Sequence, residues 1–599
     1  MILIFGGTTE GRLAAQVCDQ AGKLFYYSTL SDSQVIPLRH GVRLVEAMTA
    51  DEMLLFCQKE KIHCIVDASH PFAVELHKNI AKTGIHVIRL MRHNVKEKTT
   101  SSLINMCYDY DELLAKLKEN PPKRLLALSG VNTIPKLKEY WQTHETFFRI
   151  LSRIESIECA TDNGFPMDNL IFYTESNVLP TKEQEQVLMK EIDCDAIVTK
   201  ESGITGGYAA KVQAALELGL RVFVIKAPDY SDSFFNKERL QVVTGCHGLR
   251  RAIEKTIPEF FPLHTGFTSG TIATAAVKAA AMALIKNKIQ DVVEILLPNS
   301  ETISINVEDV RVINVDGRHY AEATVLKDFS DDPDVTRGCR ITARVEVTSD
   351  SNGGIRFLRG EGVGRVTLPG LGIPVGDAAI NRIPRQMMTA EVRKLTDKSV
   401  DITISVENGQ EIAKRTFNER VGVIDGISII GSTGIVFPFS NDAFIESVSR
   451  ELEVAKAIGC DVIGLASGKQ GEEALISGNP SLRVVHYGNV IGDTLSRAYE
   501  IGFRHVILGI MIGKAVKLAE GNLNTHSHKV SMNKPFLIDV ANSVGVVNAK
   551  ETIERITLAR ELWELMPPEF FENLQMLCLK HCRTVFPSGV LDIRIIKNR

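Results

Sequence analysis

The sequence predicts a multidomain protein of α/β and α+β architecture. Three observations carry this reading. Short apolar runs alternate with helix-patterned stretches over residues 1–250, as in parallel sheets covered by helices. A strand-rich tract with few helix signals follows at 290–425. Alternation returns from Gly431. At 599 residues the chain exceeds one core and implies roughly three to five domains.

In order, Met1–Phe5 is an apolar strand that Gly6 and Gly7 turn into a helix over Thr9–Ala21. Further strands are expected at Leu24–Thr29, Cys64–Asp67, His86–Leu90 and Arg124–Ala127, with a helix at Ala50–Lys59. Thr146–Leu151, Ala196–Thr199 and Arg221–Ile225 suit a second doubly wound unit. Two lobes of about 1–125 and 126–255 are therefore expected, with ligands in the cleft between them. Pro258 and Pro262 mark 256–264 as a linker. An Ala-rich helix over Ala273–Ile285 then precedes strands at Val292–Leu297, Ile303–Val307, Ala321–Leu326 and Ile341–Val347. These make 265–430 an α+β unit. Val462–Leu465, Val484–His486 and His505–Gly509 make 431–599 an α/β lobe with a helical tail over Ala549–Arg583.

Composition narrows the function. The chain has 69 basic and 73 acidic residues, so a general nucleic-acid binder is not expected. No apolar run reaches the roughly eighteen residues of a membrane span, and the start lacks signal-peptide features. Eleven scattered cysteines without a CxxC pair fit reduced thiols and a cytoplasmic location. Cys578 and Cys582 flank His581 without a second ligand pair, and no metal site is expected. A homo-oligomer is compatible with all of this.

Several motifs carry chemistry in the first 255 residues. Gly6-Gly-Thr-Thr-Glu-Gly-Arg12 joins a strand to a helix, an arrangement that offers N–H groups and a positive helix end to phosphate. Asp67-Ala-Ser-His-Pro-Phe-Ala73 follows a strand, which places Ser69 and His70 at a cofactor cleft. Thr199-Lys-Glu-Ser-Gly203, with Tyr208-Ala-Ala-Lys211, sets two cations beside glycines that allow close backbone approach, as an anionic substrate requires. With Arg89, these pieces resemble the precorrin-6A reductase family in order and spacing. The resemblance implies a pair of Rossmann-like lobes and hydride transfer from NADPH or NADH to a corrin-type macrocycle. It assigns Gly6, Gly7, Thr8, Thr9 and Arg12 to the cofactor phosphates, and Ser28 and Thr29 to its adenosine ribose. Arg89, Lys200, Ser202, Gly203 and Lys211 fall on the substrate. His70 and Tyr208 are the candidate proton donors, with water as a third.

The second half offers Thr265-Gly-Phe-Thr-Ser-Gly-Thr271 before a helix, an acidic stretch from Lys327 to Thr336, Gly360-Glu-Gly-Val-Gly-Arg365, and Ala379-Ile-Asn-Arg-Ile-Pro-Arg385. Gly431-Ser-Thr-Gly-Ile-Val-Phe-Pro438, Gly513-Lys-Ala-Val-Lys-Leu-Ala519 and Asn524-Thr-His-Ser-His528 complete the set. Together they resemble CbiD-type cobalt-precorrin-5B C1-methyltransferases over about 260–590. That resemblance implies methyl transfer from S-adenosyl-L-methionine to ring carbon C1 of a cobalt-precorrin tetrapyrrole. Thr268, Thr271, Arg337, Arg365, Arg382, Arg385, Lys514 and Lys517 are the candidates for its acidic arms, since Arg grips carboxylate in two-point fashion. Gly431, Ser432, Thr433 and Gly434 are the candidates for the methyl donor, and His526 for a base. The combined expectation is a bifunctional enzyme of cobalamin biosynthesis that runs two consecutive steps. Two alternatives stand beside it: a methyltransferase with a non-catalytic nucleotide-sensing first half, and a small-molecule oxidoreductase, which lacks its Tyr-x-x-x-Lys pair here.

Overall fold

The computed structural model describes every residue except 31–35, 92–100, 174–179, 202–206, 228–234, 237, 316–317, 349–352, 527–531 and 598–599. It divides into two compact units, Met1–His264 with Asn299–Ile303, and Thr265–Pro298 with Ser304–Arg599.

The first unit holds two six-stranded parallel sheets. One contains β1 (Ile2–Phe5), β2 (Phe25–Thr29), β3 (Gly41–Val45), β4 (Cys64–Asp67) and β5 (His86–Met91). The other contains β6 (Ile104–Cys107), β7 (Leu125–Ala127), β8 (Thr146–Leu151), β9 (Leu170–Tyr173), β10 (Ala196–Lys200) and β11 (Arg221–Ile225). A last strand, β12 (Leu240–Thr244), completes the first sheet in the order β12-β5-β4-β1-β2-β3. The second runs β6-β11-β10-β7-β8-β9. Strands β1, β4 and β7 are buried at every position, which is why they read as unbroken apolar runs.

This topology corrects the expected lobe limits of 1–125 and 126–255. Strand β6 lies in the second sheet, and β12 returns to the first. Neither strand was among those expected, and hydrophobic pattern in any case does not give a strand's neighbour, because a parallel partner is reached only through a long crossover. The stretch 256–264 is also more than a spacer. Helix Gly245–Thr256 buries Leu249, Ala252 and Ile253 in the first-lobe core, and Ile257, Phe260 and Phe261 continue that surface.

In the second unit, helix Ser269–Lys286 is buried on nearly every side. Its alanines let it lie close against strands Arg318–Leu326 and Arg340–Val347. Those strands belong to a five-stranded sheet, whose order is Asp309–Val315, Arg318–Leu326, Arg340–Val347, Val400–Val406, Ile355–Arg359. All its pairs are antiparallel except the last, so the expected mixed sheet is present. A four-stranded parallel sheet follows, ordered Val484–His486, Val462–Ala466, His505–Met511, Val590–Ile596. The final strand lies past the predicted helical tail and was not foreseen.

Candidate active sites

In the first sheet, β1 has β2 on one side and β4 on the other, so the chain reverses direction across the sheet at β1 and β4. Ligands of open α/β sheets bind beyond such a switch point. The turn after β1 is shaped by what it lacks. A Cβ on Gly6 would lie 2.1 Å from the Tyr27 hydroxyl, and one on Gly11 would lie 2.6 Å from Gly6 Cα. Tyr27 fills that space, and its hydroxyl accepts the Gly7 N–H at 3.2 Å. Gly7 itself needs φ of +86°. Tyr27 was missed by sequence reasoning; the paired glycines facing an aromatic strand were the available signal.

Thr8 caps helix Thr9–Asp19 by accepting the Gly11 N–H at 3.0 Å, and its hydroxyl donates to Ala68 O at 2.6 Å. It ties the loop after β1 to the loop after β4. That corrects its assignment as a phosphate ligand, because the hydroxyl is buried and engaged. Thr9 and Arg12 are exposed on the helix's first turn, and Ser28 and Thr29 are buried at the end of β2.

The loop after β4 is organised by a buried carboxylate. Asp67 is fully buried and meets Arg89 Nη1 at 2.6 Å, His77 Nδ1 at 2.7 Å and the Ser69 hydroxyl at 2.7 Å. Burial alone pushes its pKa up. Arg89 and His77 outweigh that and hold it well below the usual carboxylate range. Arg89 also donates to Ser69 O at 3.3 Å. Arg89 and Ser69 therefore face inward and shape the loop, which corrects their assignment to substrate and cofactor. His70 stays exposed.

At the C-terminal edge of the second sheet, Lys200 ends β10 and Ser129 follows β7. Lys200 Nζ lies 5.3 Å from the Phe72 ring, which the loop after β4 delivers from the first lobe. No carboxylate pairs with Lys200 among the described residues. Burial, then Lys136 nearby, pulls its pKa down to about 8. Burial, then Arg149 and Lys200, pulls Lys211 down to about 8 as well. The Ser129 hydroxyl is buried and finds no hydrogen-bond partner among the described residues. Lys200, with no carboxylate partner among the described residues, and the open Ser129 hydroxyl at the same sheet edge favour an anionic ligand. Ser202 and Gly203 lie outside the described residues. Tyr208 packs against the hydrophobic cluster of Leu126, Ile197 and Val224, whereas Phe72 packs against Ala127, Val198 and Ile225. Alternate residues of one strand point to opposite faces, so Tyr208 and Phe72 sit on opposite faces of the second sheet. Sequence reasoning also missed a buried two-point pair, Arg149–Glu185 at 2.9 and 3.0 Å.

In the second unit, the two glycine–hydroxyl turns are brought together. Gly266–Phe267 pairs with Ile435–Val436, Thr268 N–H donates to Gly434 O at 3.1 Å, and Gly270 N–H donates to Ile430 O at 2.9 Å. Thr271 donates its hydroxyl to Gly434 O at 2.8 Å, and Thr268 accepts the Thr271 N–H. These contacts saturate Thr268 and Thr271, which are buried, and correct their assignment to substrate. Gly431 is required by close approach, since a Cβ there would lie 2.2 Å from Thr268 Oγ1. Gly431 and Gly434 thus frame the turn, and only Ser432 and Thr433 present exposed hydroxyls.

The arginines separate. Arg382 and Arg385 line a cavity of about 370 Å³ with Gly372, Ile373 and Thr389. Arg337 lines another of about 570 Å³ with Glu407 and Lys414. Arg385 donates to Ile380 O at 2.8 Å and Ala378 O at 3.1 Å, so Arg382 is the more available of the first pair. Arg365 is exposed and stands 3.9 Å from Asp425.

A third group gathers at the C-terminal edge of the four-stranded sheet. Val462–Ala466 is flanked on both sides by the strands that follow it, another switch point. Lys514 donates to Gly488 O, and Lys517 to Thr525 O at 3.4 Å. The Thr525 N–H donates to Asn489 O at 2.9 Å, and the His526 N–H to Asn524 Oδ1 at 3.2 Å. Lys514, Lys517 and His526 are therefore near neighbours. Burial, then Lys517, lowers Lys514 to about 8. Not foreseen was the chain Glu451–Arg420–Glu472–His486, with Arg420 to Glu472 at 2.7 Å and His486 to Glu472 at 2.9 Å.

Comparison with known proteins adds the following. Residues 1–245 match the family model of the precorrin-6x reductase CbiJ/CobK, and residues 258–438 match that of CbiD. A cobalt-precorrin-5B C(1)-methyltransferase of Prosthecochloris aestuarii is 38% identical over 347 residues, 55% of this chain and 92% of that one. One from a Geobacillus species is 37% identical over 329 residues, 53% of this chain and 88% of its own. Among solved structures, a CobK precorrin-6A reductase is 21% identical, covers 43% of this chain and 97% of its own, and has a TM-score of 0.34.

Proposed function

We infer that this chain, which belongs to the cobalt-precorrin-5B C(1)-methyltransferase family and carries a CbiJ/CobK-type precorrin-6x reductase domain ahead of it, performs two consecutive steps of corrin-ring synthesis. The second unit transfers the methyl group of S-adenosylmethionine to ring carbon C1: the C–S bond breaks, a C–C bond forms, and the sulfide departs. The first unit then delivers a hydride from NADPH or NADH and one proton to the methylated ring. The nicotinamide supplies the hydride, and the protein supplies alignment and charge. The observation that carries the reductase reading is Lys200, half-buried at a sheet edge with no carboxylate partner among the described residues, and with Phe72 from the opposite lobe against it. Lys200 and Lys211 grip the ring's acidic arms, and the dinucleotide lies past β1 and β4. The exposed His70 is better placed for the proton than Tyr208, which packs on the other face of the second sheet.

For the methyltransferase, we place the donor in the crevice beyond Val462–Ala466 and His505–Met511 rather than on Gly431 and Gly434. Lys514 and Lys517 hold carboxylate arms there, and His526 stands beside them as the base. Alignment in a desolvated crevice supplies much of the rate of such a transfer. The test is to give the full chain cobalt-precorrin-6A and reduced nicotinamide. Loss of nicotinamide absorbance supports the reductase; none favours a nucleotide-sensing first half. No helix among the described residues is long and apolar enough to cross a membrane.

A further inference from the structure

We propose that Cys246, His247 and Glu301 form a zinc-type metal site in the first unit. Cys246 and His247 open helix Gly245–Thr256, and Glu301 lies in the Asn299–Ile303 segment that folds with this unit. Their donor atoms all lie within 4.8 Å of one another. Cys246 Sγ stands 3.0 Å from Glu301 Oε1 and 3.6 Å from His247 Nδ1. His247 Nδ1 stands 3.1 Å from Glu301 Oε2. A tetrahedral zinc, with sulfur at about 2.3 Å and nitrogen and oxygen at about 2.0 Å, sets its ligands roughly 3.3–3.5 Å apart. The Sγ–Nδ1 pair is already near that spacing, and Glu301 sets one carboxylate oxygen close to each of the other two donors.

The donor chemistry agrees. Thiolate, imidazole and carboxylate are the zinc ligand classes, and three protein ligands leave a fourth position for water. The positive end of the helix repels a bare cation. A divalent ion with one thiolate and one carboxylate is neutral, so that objection falls. Glu301 is held in place by the Cys246 and His247 N–H groups, each at 2.9 Å. Asn299 also borders the site: its Nδ2 lies 3.0 Å from His247 Nδ1, and its Oδ1 accepts the Glu301 N–H at 3.1 Å. The sequence concealed the site because Glu301 stands far from the Cys-His pair along the chain.

The competing role is a carboxylate that only caps the helix. Purified full-length chain, dialysed and analysed for metal, is expected to retain a single equivalent of zinc. Cobalt(II) added to the metal-free chain is expected to give a thiolate-to-cobalt charge-transfer band. Cys246→Ser should abolish the band and weaken zinc binding by roughly a hundredfold or more, and Glu301→Gln should weaken it strongly. Zinc should raise the thermal midpoint of the natural chain and not that of Cys246→Ser. Absence of the band in the natural chain overturns the proposal, as does a band unchanged in Cys246→Ser. A Glu301→Gln loss of stability that is equal with and without zinc leaves only the cap and also overturns it.

Discussion

Lys200 makes the reductase sensitive to pH. Burial pulls the pKa of its ammonium down to about 8, and that of Lys211 likewise, so both lose charge progressively through that region. The ratio kcat/KM reports groups of the free enzyme. It should be flat well below pH 8 and fall through that value as both lysines lose their protons. Lys200→Arg should leave the Lys211 step alone and make that fall shallower, and Lys200→Met should raise KM about 10–100-fold, the weight of a charge-assisted hydrogen bond. A pH profile with no alkaline fall below pH 9 (about one unit above the lysine value) contradicts this role. Asp67 acts on stability instead. Its folded pKa is depressed, so its contribution is present above the unfolded value of about 3.9 and is lost as pH falls below it. Asp67→Asn leaves Arg89 and His77 buried without their carboxylate and should cost about 3–5 kcal/mol in denaturant unfolding of the first unit. The positions of Lys200 at the end of its strand, and of Lys514 on the helix that follows His505–Met511, were legible from the strand-then-cation pattern. Sequence did not show that Arg89, Ser69, Thr8, Thr268 and Thr271 hydrogen-bond within the fold, because it cannot tell whether a polar group points to a ligand or to a neighbouring backbone.

Among elements, the glycine turns carry the most specific expectations. Gly6→Ala drives a methyl into the Tyr27 ring and should destabilise the first unit by about 1–3 kcal/mol while weakening dinucleotide binding in calorimetry. Gly431→Ala meets Thr268 in the same way and should reduce methyltransferase activity without affecting the reductase. Equal loss of both activities contradicts the assignment of these turns to separate units. Strands β1, β4, β10 and β11 were foreseen from their apolar runs. Strands β3, β12 and Val590–Ile596 escaped because each is partly exposed and has no continuous apolar signature, and β9 because its apolar run is only four residues long. The stretch 256–264 reads as a linker from its prolines, yet Phe260 and Phe261 are buried in the core.

For the whole molecule, the order of two motif sets was plain from sequence, and the two family models match in the same order, over 1–245 and over 258–438 of the longer stretch expected. The interleaving of the first unit's lobes was not, because it depends on which strands pair. The central claim is that one chain methylates a tetrapyrrole and then reduces the product. The most direct measurement supplies the full chain with cobalt-precorrin-5B, S-adenosylmethionine and NADPH, and follows methyl transfer and nicotinamide oxidation together. The account predicts one nicotinamide oxidised per ring methylated, and no oxidation when the methyl donor is omitted. Methylated ring accumulating while the nicotinamide stays reduced contradicts it.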